Sequence, residues 1–249
     1  MQADKNTVDA ADVARFESIG EDWWNPRGAM RALHKFNPQR VDWLTRKMTA
    51  HFAVDNSLIA KPALAGLSIL DIGCGGGLLS EALARLGAKV VGVDPAAGNI
   101  DVARRHAEAS GLAIDYRAMT AEALLATGAR FDVVCAMEVV EHVTDVPSFI
   151  ATAGALVRPG GLFFAATLNR TLKSFALAIV GAEYILRWVP QGTHQWEKFV
   201  TPQELEDAME MAGLDPIART GVVYEPLRDR WRESRDMAIN YMMVAERRA

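Results

Sequence analysis

The chain has 249 residues, half of them apolar and 23% charged, which is ample for a sizeable core and excludes disorder along its whole length. Lys and Arg total 27 against 31 Asp and Glu, and a formal charge of −4 speaks against binding nucleic acid by phosphate neutralisation. Two cysteines, Cys74 and Cys135, exclude a disulfide framework or a Cys-based zinc site. The polar, acidic N-terminal stretch is unlike a signal peptide, and no apolar run approaches the length of a membrane span. A cytoplasmic protein is expected.

Residues 1–65 read as a helical cap. Trp23 and Trp24, beside Asn25-Pro26, look like anchors of a loop that packs over something. Asn37-Pro38 reads as a helix start, and Val41, Leu44, Met48 and Phe52 then recur at helical spacing. From residue 66 the pattern becomes strand, turn, helix. Strands are expected at 68–72, 89–93, 114–117, 131–137 and 162–167, with helices at 78–86, through Ala103 and His106 to Gly111, and at 147–157. The last of these helices leads into a turn at Arg158-Pro159-Gly160-Gly161. The strands are apolar on both faces, as a parallel sheet covered on both sides requires. After a long connection at 168–200, Thr201-Pro202-Gln203-Glu204 is a capping box that opens a helix stopped by Gly213. Residues 241–245 suit an edge strand. The fold class is α/β, doubly wound and Rossmann-like. It divides into a cofactor-binding core at 66–167, an insertion at 168–200 and a C-terminal part of the core at 201–249.

The strongest local signal is Asp71-Ile72-Gly73-Cys74-Gly75-Gly76-Gly77, directly after a strand and before a helix. Glycines there permit a sharp turn and close approach of a ligand to the backbone, with the N–H groups of the helix start facing it. Seventeen residues past Gly77, at the tip of the second strand, Asp94 is placed to accept hydrogen bonds from ribose hydroxyls. A dinucleotide fingerprint would need glycine where Leu78 stands, which counts against an NAD enzyme. Glu138, Glu141 and His142 follow the fourth strand. Two carboxylates and an imidazole within five residues can bind a divalent cation, or can hold a general base with His142 as the proton acceptor.

LDIGCGGG, VVGVDP and LVRPGGLFFAAT resemble three motifs of the class I S-adenosylmethionine-dependent methyltransferases, which implies a mostly parallel seven-stranded sheet with helices on both faces. FNPQR (36–40), MEVVEHV (137–143), TLNRTLKSF (167–175), VGAEYILRWVPQGTH (180–194) and NYMM (240–243) resemble, more narrowly, the family of ubiquinone-biosynthesis O-methyltransferases, from about residue 12 to the end. That resemblance implies S-adenosylmethionine as methyl donor, with Arg40 on its carboxylate, Gly73 and Gly75 in the loop that approaches it, Asp94 on the ribose and Met137 near the sulfonium. It implies a polyprenylated phenol or quinol as acceptor, and a divalent metal, Mg²⁺ or Zn²⁺, held by Glu138, Glu141 and His142. Another small phenolic or lipid-like acceptor is the alternative. The resemblance also leaves room for a complex with other enzymes of the same pathway, of which the residues themselves carry no sign. His194 is a substrate-contact candidate, and Cys74 reads as a small filler.

If 171–189 is helical, Lys173, Glu183 and Arg187 share a narrow sector and the rest of the circumference is apolar. Such a helix suits the surface of a bilayer or a pocket for a prenyl tail, so peripheral contact with the inner face of the cytoplasmic membrane is expected through 168–200.

Overall fold

Apolar runs buried on both faces form the centre of a sheet whose strands are β1 (Ser68–Ile72), β2 (Lys89–Asp94), β3 (Asp115–Ala118), β4 (Phe131–Met137), β5 (Val157–Leu168), β6 (Leu214–Glu225), β7 (Arg230–Ser234) and β8 (Asn240–Arg247). These are the strands of a computed structural model that describes residues 6–52, 62–175 and 196–248. Their order is β3-β2-β1-β4-β5-β8-β6-β7. The first five pair in parallel, and β8, β6 and β7 add antiparallel. The chain steps outward from β1 to β3 and then returns to lay β4 on the other side of β1. A crevice therefore opens at the carboxyl ends of β1, β2 and β4, where open α/β sheets bind their ligands.

Consecutive strand residues face opposite layers, so each doublet feeds two cores. Leu70, Val134 and Phe163 pack with Phe149 and Ile150 of α6 (Val146–Leu156) and Leu205 and Met209 of α8 (Pro202–Met211). Their neighbours Ile69, Val133 and Phe164 pack on the other face with Trp43, Leu44 and Met48 of α2 (Arg31–His51) and Leu79 and Leu83 of α3 (Leu78–Arg85). Helix α4 (Ala97–Ala109) buries Ile100 and Ala103 beside Tyr116, and α5 (Ala121–Ala126) is capped by Thr120. The capping box at Thr201 and Glu204 forms as expected, and Gly213 takes a left-handed φ of +74° just beyond that helix.

Several expectations need correction. The sheet has eight strands, not seven, because β6 and β7 form a hairpin. The C-terminal strand is not at the edge but lies between β5 and β6. The helix expected to start at Asn37-Pro38 begins about two turns earlier, at Arg31, and Pro38 lies inside it. Asn37 is no N-cap there: its amide donates to the Leu78 carbonyl, 3.0 Å, and its oxygen accepts from Arg40, 2.8 Å. The turn at Arg158–Gly161 lies within β5, whose pairing with β4 shifts register at that point.

Of the insertion, Thr171 caps a short helix α7 (Leu172–Ser174) through a capping box with Ser174. The remainder of the amphipathic helix expected at 171–189, and His194, lie outside the described residues. Among the described residues no helix is long and apolar enough to cross a membrane.

Candidate active site

The glycine loop is shaped by what packs on it. Gly73 and Gly75 have φ of +66° and +52°, and a Cβ on Gly75 would fall within 2.7 Å of Trp23 Cζ2. Gly76 is as crowded, since a Cβ there would stand 2.6 Å from Trp23 Cγ. The two tryptophans are thus the cover of this loop. Trp23 Nε1 donates to Asn99 Oδ1, 2.9 Å, while Trp24 Nε1 donates to the Gly76 carbonyl, 2.8 Å, with its ring stacked 3.4 Å from that of His106. Asp94 ties the loop from beneath. One carboxylate oxygen accepts from Gly75 N–H at 3.0 Å and the other from Ala96 N–H at 2.8 Å. Burial raises its pKa above the usual carboxylate value, against those hydrogen bonds. Oδ1, the oxygen facing Ala96, also accepts from Asn99 Nδ2 at 3.4 Å, which leaves Oδ2 with lone-pair capacity for a ribose hydroxyl.

Arg40 is buried to 3% exposure, and among the described residues its Nε has no hydrogen-bond partner. Burial lowers its pKa, opposed by the charges of Glu138 and Asp71. Asp71 accepts from Ser80 Oγ at 2.6 Å, and its pKa is pushed up to about 6, chiefly by burial. A buried guanidinium with an unused donor beside a glycine cradle fits the amino-acid carboxylate of S-adenosylmethionine.

Met137 ends β4, and Glu138 follows it with a left-handed φ of +61°, rare for a residue with a side chain and strained at a cost of about 1–3 kcal/mol. Glu141 is buried and accepts from Thr167 Oγ1 at 2.7 Å; burial first, then the charge of Glu138, pushes its pKa well up. His142 Nδ1 lies 3.1 Å from Asp12 Oδ2, and its ring stands edge-to-face with that of Phe16, centroids 4.9 Å apart. The three-ligand metal site expected here is not formed by this arrangement. Among the described residues no group of three His, Cys, Asp or Glu side chains stands close enough to share a cation. Glu141 is turned to Thr167 and His142 to Asp12 instead.

The eight site candidates that fall among the described residues, Arg40, Gly73, Gly75, Asp94, Met137, Glu138, Glu141 and His142, line one cavity of about 830 Å³. Helix α1 (Ala10–Glu17) lies across it. The segment before that helix is pinned by Thr7 Oγ1 to Glu122 at 2.6 Å, by Thr144 N–H to the Thr7 carbonyl at 2.8 Å and by a bridge between Val8 and Val143. Cys74 is buried and its thiol pKa is raised by burial, in keeping with a filler. Asp12, Asn99 and Thr167 were not singled out, since each acts on a residue distant in the chain and nothing in its own surroundings marks it.

Residues 25–219 match the methyltransferase domain family. Magnesium protoporphyrin IX methyltransferase from Synechocystis, solved with bound S-adenosylmethionine, superposes with a TM-score of 0.61 at 17% identity, over 98% of this chain and all of that one. The protein is therefore an S-adenosylmethionine-dependent methyltransferase with the Rossmann-like class I fold. Among curated relatives, the ubiquinone biosynthesis O-methyltransferase of Methylobacterium sp. is 58% identical, over 98% of this chain and 97% of the relative. That of Methylocella silvestris is 59% identical, over 99% and 98%. The chain belongs to the family of ubiquinone biosynthesis O-methyltransferases.

Proposed function

We propose that this enzyme methylates a phenolic hydroxyl of polyprenylated catechol and 3-demethylubiquinol intermediates of ubiquinone synthesis. The observation that carries the reading is the placement of Glu138, Glu141 and His142 directly after Met137, in the same largely apolar cavity as the glycine loop and Arg40. When bound, S-adenosylmethionine supplies an electrophilic methyl group on a sulfonium. Arg40 holds its carboxylate, Asp94 its ribose, and Gly73 lets the backbone approach it. His142 takes the proton of the attacking hydroxyl.

The test is labelled methyl transfer to a short-chain 3-demethylubiquinol. Transfer supports the reading, and its absence with intact cofactor binding refutes the acceptor. A chelator arm settles the role of the trio. Loss that Mg²⁺ or Zn²⁺ restores returns Glu138, Glu141 and His142 to the ligand role, which would require Glu141 to leave Thr167 and His142 to leave Asp12. Indifference to chelation leaves proton removal with His142 directly.

We also propose peripheral membrane contact through 168–200. Support comes from Leu172 and Phe175, 81% and 45% exposed, flanking Lys173. Flotation with anionic vesicles tests it: wild type is expected to co-migrate and a Leu172→Asp/Phe175→Asp variant to stay behind. Equal behaviour of the two would refute it.

A further inference from the structure

Strand residues two apart share a face of the sheet, and so do residues paired across neighbouring strands. Val222 and Tyr224 of β6, and Trp231 of β7, which pairs with Tyr224, therefore stand together on the side that α2 covers. Helix α2 meets them with a single stripe: Leu33, Phe36 and Arg40 recur at spacings of three and four, and all three line the cavity of the cofactor cleft. The rings form a row that leads away from the guanidinium. Arg40 Cζ lies 5.3 Å from the centroid of Phe36, Phe36 5.2 Å from Trp231, and Trp231 5.5 Å from Tyr224. The polar ends of the row are occupied or covered. Asp229 accepts from the Tyr224 hydroxyl and, at 2.7 Å, from Lys35 Nζ, while Trp231 Nε1 is buried with no partner among the described residues. The rings are left to offer carbon to the cavity.

The cavity thus follows the carboxyl edge of the sheet well past the cofactor cleft. Met137 ends β4, Leu168 ends β5, Asn240 opens β8 opposite Val222 of β6, and Trp231 lies on β7; each of them lines it. From β4 to β7 there are four steps between neighbouring strands, roughly 19 Å at about 4.8 Å each. Lys173, half-exposed, also lines the cavity, which therefore reaches the surface beside Leu172 and Phe175. We infer that the arm between α2 and the β6–β7 hairpin holds the hydrocarbon tail of the acceptor, and that Phe36 and Trp231 set the preference for prenylated over bare-ring acceptors; this rests on the acceptor proposed above. A branched, unsaturated chain packs on ring faces by dispersion and asks for no hydrogen bond. Held there, the tail turns binding energy from a part that does not react into orientation of the hydroxyl that does. Two tasks are thereby divided: the 168–200 insertion meets the bilayer, and the hairpin receives the chain.

Two measurements test it. A 3-demethylubiquinol whose short prenyl chain ends in a photoreactive diazirine is expected, on irradiation with the wild-type enzyme, to label Phe36, Val223 or Trp231. Labelling that spares α2 and the hairpin would overturn the inference without any variant having to fold. Methyl transfer to 3-demethylubiquinols with and without a short prenyl chain gives the second readout. The wild-type kcat/KM is expected to be higher with the chain, and in Trp231→Ala the ratio of kcat/KM for the prenylated to the bare acceptor to fall roughly 10-fold. Such a ratio does not depend on how much of the variant is folded. A wild-type kcat/KM indifferent to the chain, or an unmoved ratio in Trp231→Ala, refutes the arm and leaves the ring acceptor standing. Transfer to neither compound, with cofactor binding intact, refutes the acceptor reading and the arm with it.

Discussion

Replacing Gly75 by alanine tests how the glycine loop and its tryptophan cover depend on each other. Two costs arise. The backbone at φ +52° is left-handed, which costs a residue with a Cβ about 1–2 kcal/mol. The new methyl group also lands 2.7 Å from Trp23 Cζ2, so the indole must shift, an overpacking cost of about 1–3 kcal/mol that endangers its 2.9 Å hydrogen bond to Asn99. The single variant should therefore lose about 2–5 kcal/mol. In a Trp23→Ala background, already destabilised by about 3–5 kcal/mol because Trp23 is buried, the clash is gone and only the backbone cost remains. Urea unfolding of wild type, both single variants and the double variant gives the coupling energy, expected at about 1–3 kcal/mol in the sense that the double variant is less damaged than the sum. Equal cost of Gly75→Ala in both backgrounds would refute the idea that Trp23 sets the need for glycine.

Arg40→Met keeps the volume of the stem and removes a buried charge. Calorimetric titration should show S-adenosylmethionine binding weakened by roughly 2–5 kcal/mol, and the melting temperature of the free protein should fall, because Glu138 and buried Asp71 lose the cation that offsets them and Asn37 Oδ1 loses its donor. Asp71 binds its proton more tightly in the folded state, at about 6 against 3.8, so the folded protein holds more protons between those values and stability falls as pH rises through that window. Asp71→Asn should gain on wild type by up to about 3 kcal/mol across it in urea midpoints, and parallel pH profiles would contradict the burial argument. Trp24→Phe keeps the stacking on His106 but loses the bond to the Gly76 carbonyl, and should cost about 1 kcal/mol by thermal unfolding.

The half of the sheet that holds the cofactor cleft was readable because strands buried on both faces are near-continuous apolar runs. Ser68–Ile72 and Phe131–Met137 are found at the expected limits. The other half obeys different rules. β6 is broken by Pro216 and Gly221 and carries charged side chains on its exposed face, and β7, Arg230–Ser234, has one apolar residue, Trp231. Neither makes a run, and pairing along an outer hairpin tolerates that. Asn37-Pro38 misled for a related reason: a pairing of residue types that serves a helix start serves equally to orient Arg40 from within a helix. The eight candidates that line the cavity were legible as motifs contiguous in the chain. Asp12 was not, because its meaning comes from a partner 130 residues away.

The last strand of the chain stands inside the sheet, hydrogen-bonded to β5 on one side and β6 on the other. During synthesis, then, the carboxyl-side edge of the cofactor half and the β6–β7 hairpin wait as two open rims with no strand between them until Asn240–Arg247 has emerged. Every earlier intermediate exposes backbone donors and acceptors along β5, a strand whose segment Leu162–Leu168 is buried once the sheet is complete. A messenger truncated by a few dozen bases would yield a chain that has every residue of the catalytic cavity but β8's own, and no strand to close the sheet between its two rims.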